Sequence, residues 1–285
     1  MAQITIRPVT HFDEMPAIQA IQRAAWNMPD VGLVPLNFFK TAAYNGGLVL
    51  GAFDGDRAVG FLLTIPAILN QPREGVEGIL SGRHKFHSVM MGVHPDYHSR
   101  GIGHQLKAAQ RQFAIEQGVT LVSWSYEPLL APNAWLNIAR LGGVVDLFEV
   151  AFYGEANGWA EDRFMVDWWV TSERVARRLD GAERPQPLAA HLAAGAELIA
   201  CEWTAEGFPL APAPQLDCAA ETFLLEFPPD LNLIRQRAPE AALAWRHYFR
   251  EMMLHYLNGP YRVIDVVRDR PEGGVERIYY LLGRR

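Results

Sequence analysis

Apolar and polar positions alternate over residues 3–9, "QITIRPV", and the run stops at Pro8, which predicts an opening strand. From Phe12 the period lengthens. Phe12, Met15, Ile18, Ile21 and Ala25 recur at helical spacing and predict an amphipathic helix to Trp26. A second short helix is expected over 35–44, ending at Gly46-Gly47. "GLVLGAF-DGD-RAVGFLLTI" reads as a hairpin of two apolar strands around Asp54-Gly55. Residues 66–83 carry Pro, Gly and charge and read as a loop. "HKFHSVMMGV" (84–93) is a strand, apolar on both faces near its end and so expected to be central. Then come a helix over 101–117, a strand over 119–126, a helix over 132–141, and strands over 143–154 and 163–171.

After Ser172 the texture changes. Residues 180–216 are rich in Ala, Pro and Gly, with stretches such as "FPLAPAPQL" that hold no long regular element, so a boundary or long excursion is expected there. Order returns with a strand at 222–227, helical spacing from Leu231 to Leu257, and strands at 261–267 and 276–282. That order of strand, helix, helix, strand, strand echoes the first 65 residues. It is open to two readings, a degenerate internal repeat or the ordinary likeness of short elements. The whole predicts a mixed α/β fold, most strands in one twisted sheet with helices on its faces. Residues 1–171 are expected to form one domain and 172–285 an α+β extension packed on it.

Composition narrows the partners. The chain of 285 residues carries a formal net charge of -6 with both signs interspersed, which argues against nucleic acid and against a polybasic membrane contact. Its start, "MAQITIRPVTHFDEM", has no apolar export core, no apolar run approaches a bilayer span, and two cysteines make no disulfide framework; a cytoplasmic location is expected. Cys201 and Cys218 lack a nearby His partner and read as structural. The nine histidines show no metal spacing, so no metal is expected. No Gly-x-Ser-x-Gly elbow is present, which disfavours a serine hydrolase. The aromatic clusters "DWWV" and "AWRHYF" read as core, with an aromatic substrate wall as the other reading.

One stretch carries chemistry: "MGVHPDYHSRGIGHQLKAAQ", Met91 to Gln110, where a strand runs through a Pro-Asp turn and two glycines into a helix. The first N–H groups of a helix lack intrahelical partners, and the helix dipole is positive there. Glycines remove the Cβ atoms that would keep a ligand away. The loop from His98 to His104 is thus built to cradle an anion, phosphate best of all, with Arg100 and His104 as side-chain donors. The plainer reading is tight-turn chemistry alone.

The stretch resembles motif A of the GNAT superfamily of acyl-CoA-dependent acyltransferases, in which a strand ending in Val-x-Pro leads to Gln/Arg-x-x-Gly-x-Gly/Ala at a helix start. Here it reads Val93-His94-Pro95, then His98-Ser99-Arg100-Gly101-Ile102-Gly103. The opening "ITIRPVT" and the order of elements over residues 3–154 are similar as well. "WSYEPLLAPNAWLNIARLGGVV", "RFMVDWWV" and "RVIDVVRD…IYYLL" resemble, more loosely, bacterial GNAT proteins with a long C-terminal extension.

The resemblance implies that the strand "SVMMGV" splays from "LVSWSY" and that the pantetheine arm of CoA lies between them. Backbone groups of Met91 and Val93 would pair with it, and the amides of Ser99, Arg100, Gly101, Ile102, Gly103 and His104 would hold the pyrophosphate. His98 stands where Gln or Arg is usual. Asn133 matches an asparagine near the CoA arm, or caps the helix after Pro132. The tyrosine that protonates the leaving thiolate in many members is replaced by Ile138; Tyr126, Tyr153 or Asn137 could serve, or the thiolate could leave unaided.

The implied reaction is direct attack of a neutral amine on the thioester, with the oxyanion steadied by a strand N–H near Met91 or Val93. A base must take the amine's proton. Glu127 is one candidate, or else a plain carboxylate before Pro128; His87 is the other, or else a structural histidine. The expected function is acetyl or succinyl transfer from acyl-CoA to a small amino-acid-like amine, by a monomer or homodimer. A CoA-binding regulatory or sensor module is the alternative reading. A nucleotide-binding protein is a third, weakened by the lack of a Gly-Lys-Ser/Thr element.

Overall fold

The structure, a computed structural model, describes residues 3–69, 84–156, 158–272 and 274–285. The fold is mixed α/β and divides into two compact units: residues 1–124 with 169–172, and residues 125–168 with 173–285. Of the described residues, no helix is long and apolar enough to cross a membrane.

In the first unit the chain runs β1 (Ile4–Pro8), α1 (Met15–Trp26), α2 (Leu36–Tyr44), β2 (Leu48–Asp54), β3 (Arg57–Ile68), β4 (His84–Val93), α3 (Ile102–Glu116) and β5 (Leu121–Tyr126), the last crossing into the second unit at Ser125. Strands β1 to β4 pair antiparallel in sequence order, and β5 joins β4 in parallel. The expected helix from Phe12 begins as a 3-10 turn, and α1 proper starts only at Met15. Pro16 explains the delay, because proline is tolerated in a first helical turn and not further in.

Period-2 alternation sorts β2 between two cores. Val49 and Phe53 face a cluster with Met15, Ile18 and Ile21 of α1 and Phe39 of α2. Leu48, Leu50 and Ala52 face Ile102 and Leu106 of α3. Of the expected loop over 66–83, residues 66–68 belong to β3, whose pairing with β4 runs on to Ile68, and 70–83 lie outside the described residues.

The second unit continues through α4 (Ala131–Ala134), a π-helical run (Trp135–Arg140), β6 (Val144–Glu149), the short pair β7 (Glu155–Ala156) and β8 (Trp159–Ala160), β9 (Arg163–Trp169), α5 (Glu173–Leu179), α6 (Leu188–Ala193), β10 (Glu197–Ile199), β11 (Thr222–Phe227), α7 (Leu231–Arg237), α8 (Pro239–Asn258), β12 (Tyr261–Asp269) and β13 (Arg277–Arg284). Its strands lie in the order β9-β6-β12-β13-β11-β10. Trp245, Phe249, Met252 and Met253 of α8 are buried, and Phe249 packs on Phe148, Phe164 and Tyr280. Trp168 is fully buried, as the core reading of the aromatic clusters expects.

The helical spacing from Leu231 to Leu257 is filled by two helices, in the order expected, and Pro239, which cannot donate within a helix, starts the second. The Ala/Pro-rich segment holds the short α6 and β10, consistent with the expectation of no long regular element there. The strand expected to 154 ends at Glu149, followed by Ala151 at φ +50°. The order of elements over 222–282 repeats that of the first 65 residues, yet the pairing differs: β1 lies beside β2, whereas β11 lies beside β13.

Candidate functional site

The centre of the first unit is the end of β4. Its parallel pairing with β5 is limited to Phe86 with Val122 and His87 with Ser123, while its antiparallel pairing with β3 continues to Val93. Val89 is an extra residue in that second ladder, since Leu63 pairs with Met90 and Thr64 with Ser88. A bulge of this kind bends a strand and increases its twist, which is the local cause of the parting from β5. Beyond the strand, the His94 N–H donates to Val59 O on β3 (2.8 Å). Strand hydrogen bonding alternates in direction, so Met91 and Val93 turn their N–H and C=O groups the other way, along the edge that faces away from β3.

The loop that follows is tied down from behind. Tyr97 is buried, donates its hydroxyl to Asp54 (2.7 Å) and packs with Ile102 and Leu106. Arg100 lies over the Tyr97 ring at 4.5 Å and donates to Asp96 O. Ser99 and Gly101 both adopt the left-handed region, at φ +61° and +75°. For Ser99 that conformation is uncommon and costly, a mark of a constrained turn. Gly101 is the N-cap of α3, and a Cβ built on it would meet no atom within 4 Å. The first bond of the α3 ladder runs from Gln105 N to Gly101 O, so the amides of Gly101, Ile102 and Gly103 precede it. Ile102 anchors this turn in the core, and its burial fixes the direction of those amides. His98 folds back: its Nε2–H donates to Val93 O (3.0 Å), leaving that carbonyl a second lone pair.

Beneath β4 runs a buried polar chain that sequence reasoning missed. Lys107 of α3 donates to Ser88 Oγ (3.1 Å) and Gln110 Oε1 (3.0 Å), and Gln110 donates to Thr64 Oγ1 (2.6 Å). The ammonium also sits over the Trp124 ring at 3.5 Å. Burial holds the Lys107 pKa well below the usual lysine value. The signal was present: Lys107 and Gln110 share the inward face of α3 with Ala114, and polar residues there require partners. His87 lies alongside, with Nδ1 3.5 Å from Ser123 Oγ. Burial, then the charges of Lys85 and Lys107, lower its pKa to about 4, so its imidazole is neutral at pH 7 and a weak base.

Residues 15–132, about two fifths of the chain, match the model of the Acetyltransferase (GNAT) family. This segment is a GNAT acetyltransferase domain. No curated protein matches the chain significantly. Among solved structures, the ribosomal-protein-S18-alanine N-acetyltransferase of Escherichia coli is 16% identical over 60% of this chain and 96% of its own, with a TM-score of 0.47. Arabidopsis thaliana NAA60 in complex with acetyl-CoA is 17% identical over 60% of this chain and all of its own, at 0.49. An N-acetyltransferase from Staphylococcus aureus Mu50 is 13% identical over the same shares, at 0.48.

The site candidates Glu127, Asn133, Tyr126, Asn137 and Tyr153 lie downstream of residue 124, in the second unit. Glu127 is gripped by Arg246, which donates to both carboxylate oxygens at 2.9 and 2.7 Å, and it also accepts from Leu129 N. Arg246 is 2% exposed, lies over the Trp159 ring and sits 3.7 Å from Asp162, which Arg250 binds through both its oxygens. Arg246 was legible only as part of an aromatic run; a charge on the buried stripe of α8 demanded a buried partner. Asn133 is exposed and does not cap α4, whose N-cap is Leu130. Ile138 is fully buried. Of the acid candidates, Tyr126 is buried with its hydroxyl 3.1 Å from that of Tyr280, which donates to Pro128 O, and Asn137 is buried in the π-helical run. Tyr153 is 63% exposed.

Proposed function

We propose that the GNAT domain transfers an acetyl or succinyl group from acyl-CoA to the amine of a small, amino-acid-like acceptor. The observation that carries this reading is the outward edge of β4 at Met91 and Val93 leading directly into the Gly101 start of α3. A strand edge whose amides face away from β3 suits the amides of pantetheine, and a helix start suits a pyrophosphate. In the proposed step the amine nitrogen forms a bond to the thioester carbon, the carbonyl oxygen takes negative charge against the N–H of Met91 or Val93, and the C–S bond then breaks. The amine proton passes to a base, for which Glu127 and His87 are the proposed groups, and the departing thiolate takes up a proton.

Release of free thiol from acetyl-CoA, measured with a panel of amino acids and small amines, tests the proposal. Amine-dependent release supports it. A second reading, a CoA-binding sensor without transfer, is favoured by Ile138 at the usual tyrosine position and by the engagement of Tyr126 with Tyr280. It predicts CoA binding with no amine-dependent release.

A further inference from the structure

The π-helical run Trp135–Arg140 forms one wall of a cavity of about 400 Å³, a size suited to a small molecule. From the run come Trp135, Ala139 and Arg140; from α5 and the loop after it come Arg178, Leu179, Gly181, Glu183, Arg184 and Pro185. The wide turn is what assembles this wall. At 3.6 residues per turn, Trp135 and Arg140 would point about 140° apart. The five-residue hydrogen bond of the π turn, seen where Leu141 N donates to Leu136 O (3.0 Å), brings positions five apart nearly over one another. Such turns are rare and concentrate at functional positions.

The floor is rigid. Arg178, 5% exposed, donates to Ala139 O (2.8 Å), Asp265 Oδ2 (2.7 Å) and Glu183 Oε1 (2.9 Å), so its charge is matched within the fold. Arg140 and Arg184 differ: among the described residues neither has an ion-pair partner. The cavity thus offers the side chain of Trp135, whose ring also carries the Arg268 guanidinium at 4.5 Å, apolar Ala139, Leu179 and Pro185, and the two guanidinium groups of Arg140 and Arg184. Glu183, held by Arg178 and Arg177, adds a negative charge to the lining that opposes a doubly charged guest.

We infer that this cavity binds a small, singly charged carboxylate bearing a flat or apolar group, seated against Trp135 and paired with Arg140 and Arg184. None of its residues belongs to the loop of residues 98–104, and the inference stands whether or not the chain transfers acyl groups.

The probe is 2-naphthoate, titrated into the full-length protein by ligand-observed NMR beside its neutral amide and 2-naphthyl phosphate. The carboxylate is expected to bind at least about ten-fold more tightly than the amide, the scale of a charge-assisted pair, and no more weakly than the phosphate. In an Arg140→Gln/Arg184→Gln variant, naphthoate should weaken about ten-fold, while the amide and acetyl-CoA bind as before. Both arginines are exposed, and unchanged amide and acetyl-CoA binding reports an intact fold. No binding of naphthoate at millimolar concentration, equal affinity for carboxylate and amide, tighter binding of the phosphate, or an unaltered naphthoate affinity in the double variant would each overturn the inference.

Discussion

Glu127 and His87 pose the residue-scale question, because each could serve catalysis or the fold. Glu127→Gln is expected to lower the transfer rate about 10²-fold, the scale of a lost general base, with CoA affinity unchanged. A wild-type rate with a lowered unfolding midpoint would assign Glu127 to the ion-pair cluster alone. Arg246→Met tests that cluster: it leaves Glu127 and the buried Asp162 short of a partner and should destabilise by about 3–5 kcal/mol in urea unfolding. A loss under 1 kcal/mol would show the pair to be dispensable. For His87, the folded pKa of about 4 lies below the ordinary 6.5. Between those values the unfolded chain binds more protons, so its contribution is complete above pH 6.5 and is lost as pH falls through 4, about 3 kcal/mol in all. His87→Phe should therefore flatten the stability profile between pH 6.5 and 4, a change read by thermal unfolding at fixed pH steps. Lys85 and Lys107, whose charges face the imidazole, remain in that variant.

At the scale of elements, the π-helical run sets limits on what position 138 can hold. Ile138 has no exposed surface, so Ile138→Tyr overpacks the run and should cost about 1–3 kcal/mol, with no gain in transfer rate. A faster enzyme of undiminished stability would show that a phenol there finds room and purpose. This run also marks where sequence reading ends. Periodicity over 132–141 carries a helix, and it does so equally for α and π turns, since only the pairing of Leu141 with Leu136 tells them apart. Helices of the first unit were readable because each buries one face, and β2 because its alternation divides its side chains between two cores. The Val89 bulge was not, because register depends on β3 and β4 together. The glycine loop was readable from Val93 to Gly103, whereas the Lys107 chain and the Glu127–Arg246 pair join residues far apart in sequence.

At the scale of the whole molecule, the second unit draws β6 and β9 from before residue 172. Phe148 and Phe164 on those strands pack on Phe249, and Phe164 also meets Tyr280. A fragment of residues 173–285 is therefore expected to lack a cooperative thermal transition by circular dichroism; a sharp one would show an extension that folds alone. The central claim, that the start of α3 receives the pyrophosphate of acyl-CoA, rests on Gly101. A Cβ there meets no protein atom, so a side chain would project into the space the ligand is proposed to fill, while strain at φ +75° costs only about 1–2 kcal/mol. Calorimetric titration of acetyl-CoA into Gly101→Val is the most direct measurement. Binding to the wild-type chain and none to the variant is expected, with matching circular dichroism spectra. Equal affinity in the two proteins would contradict it.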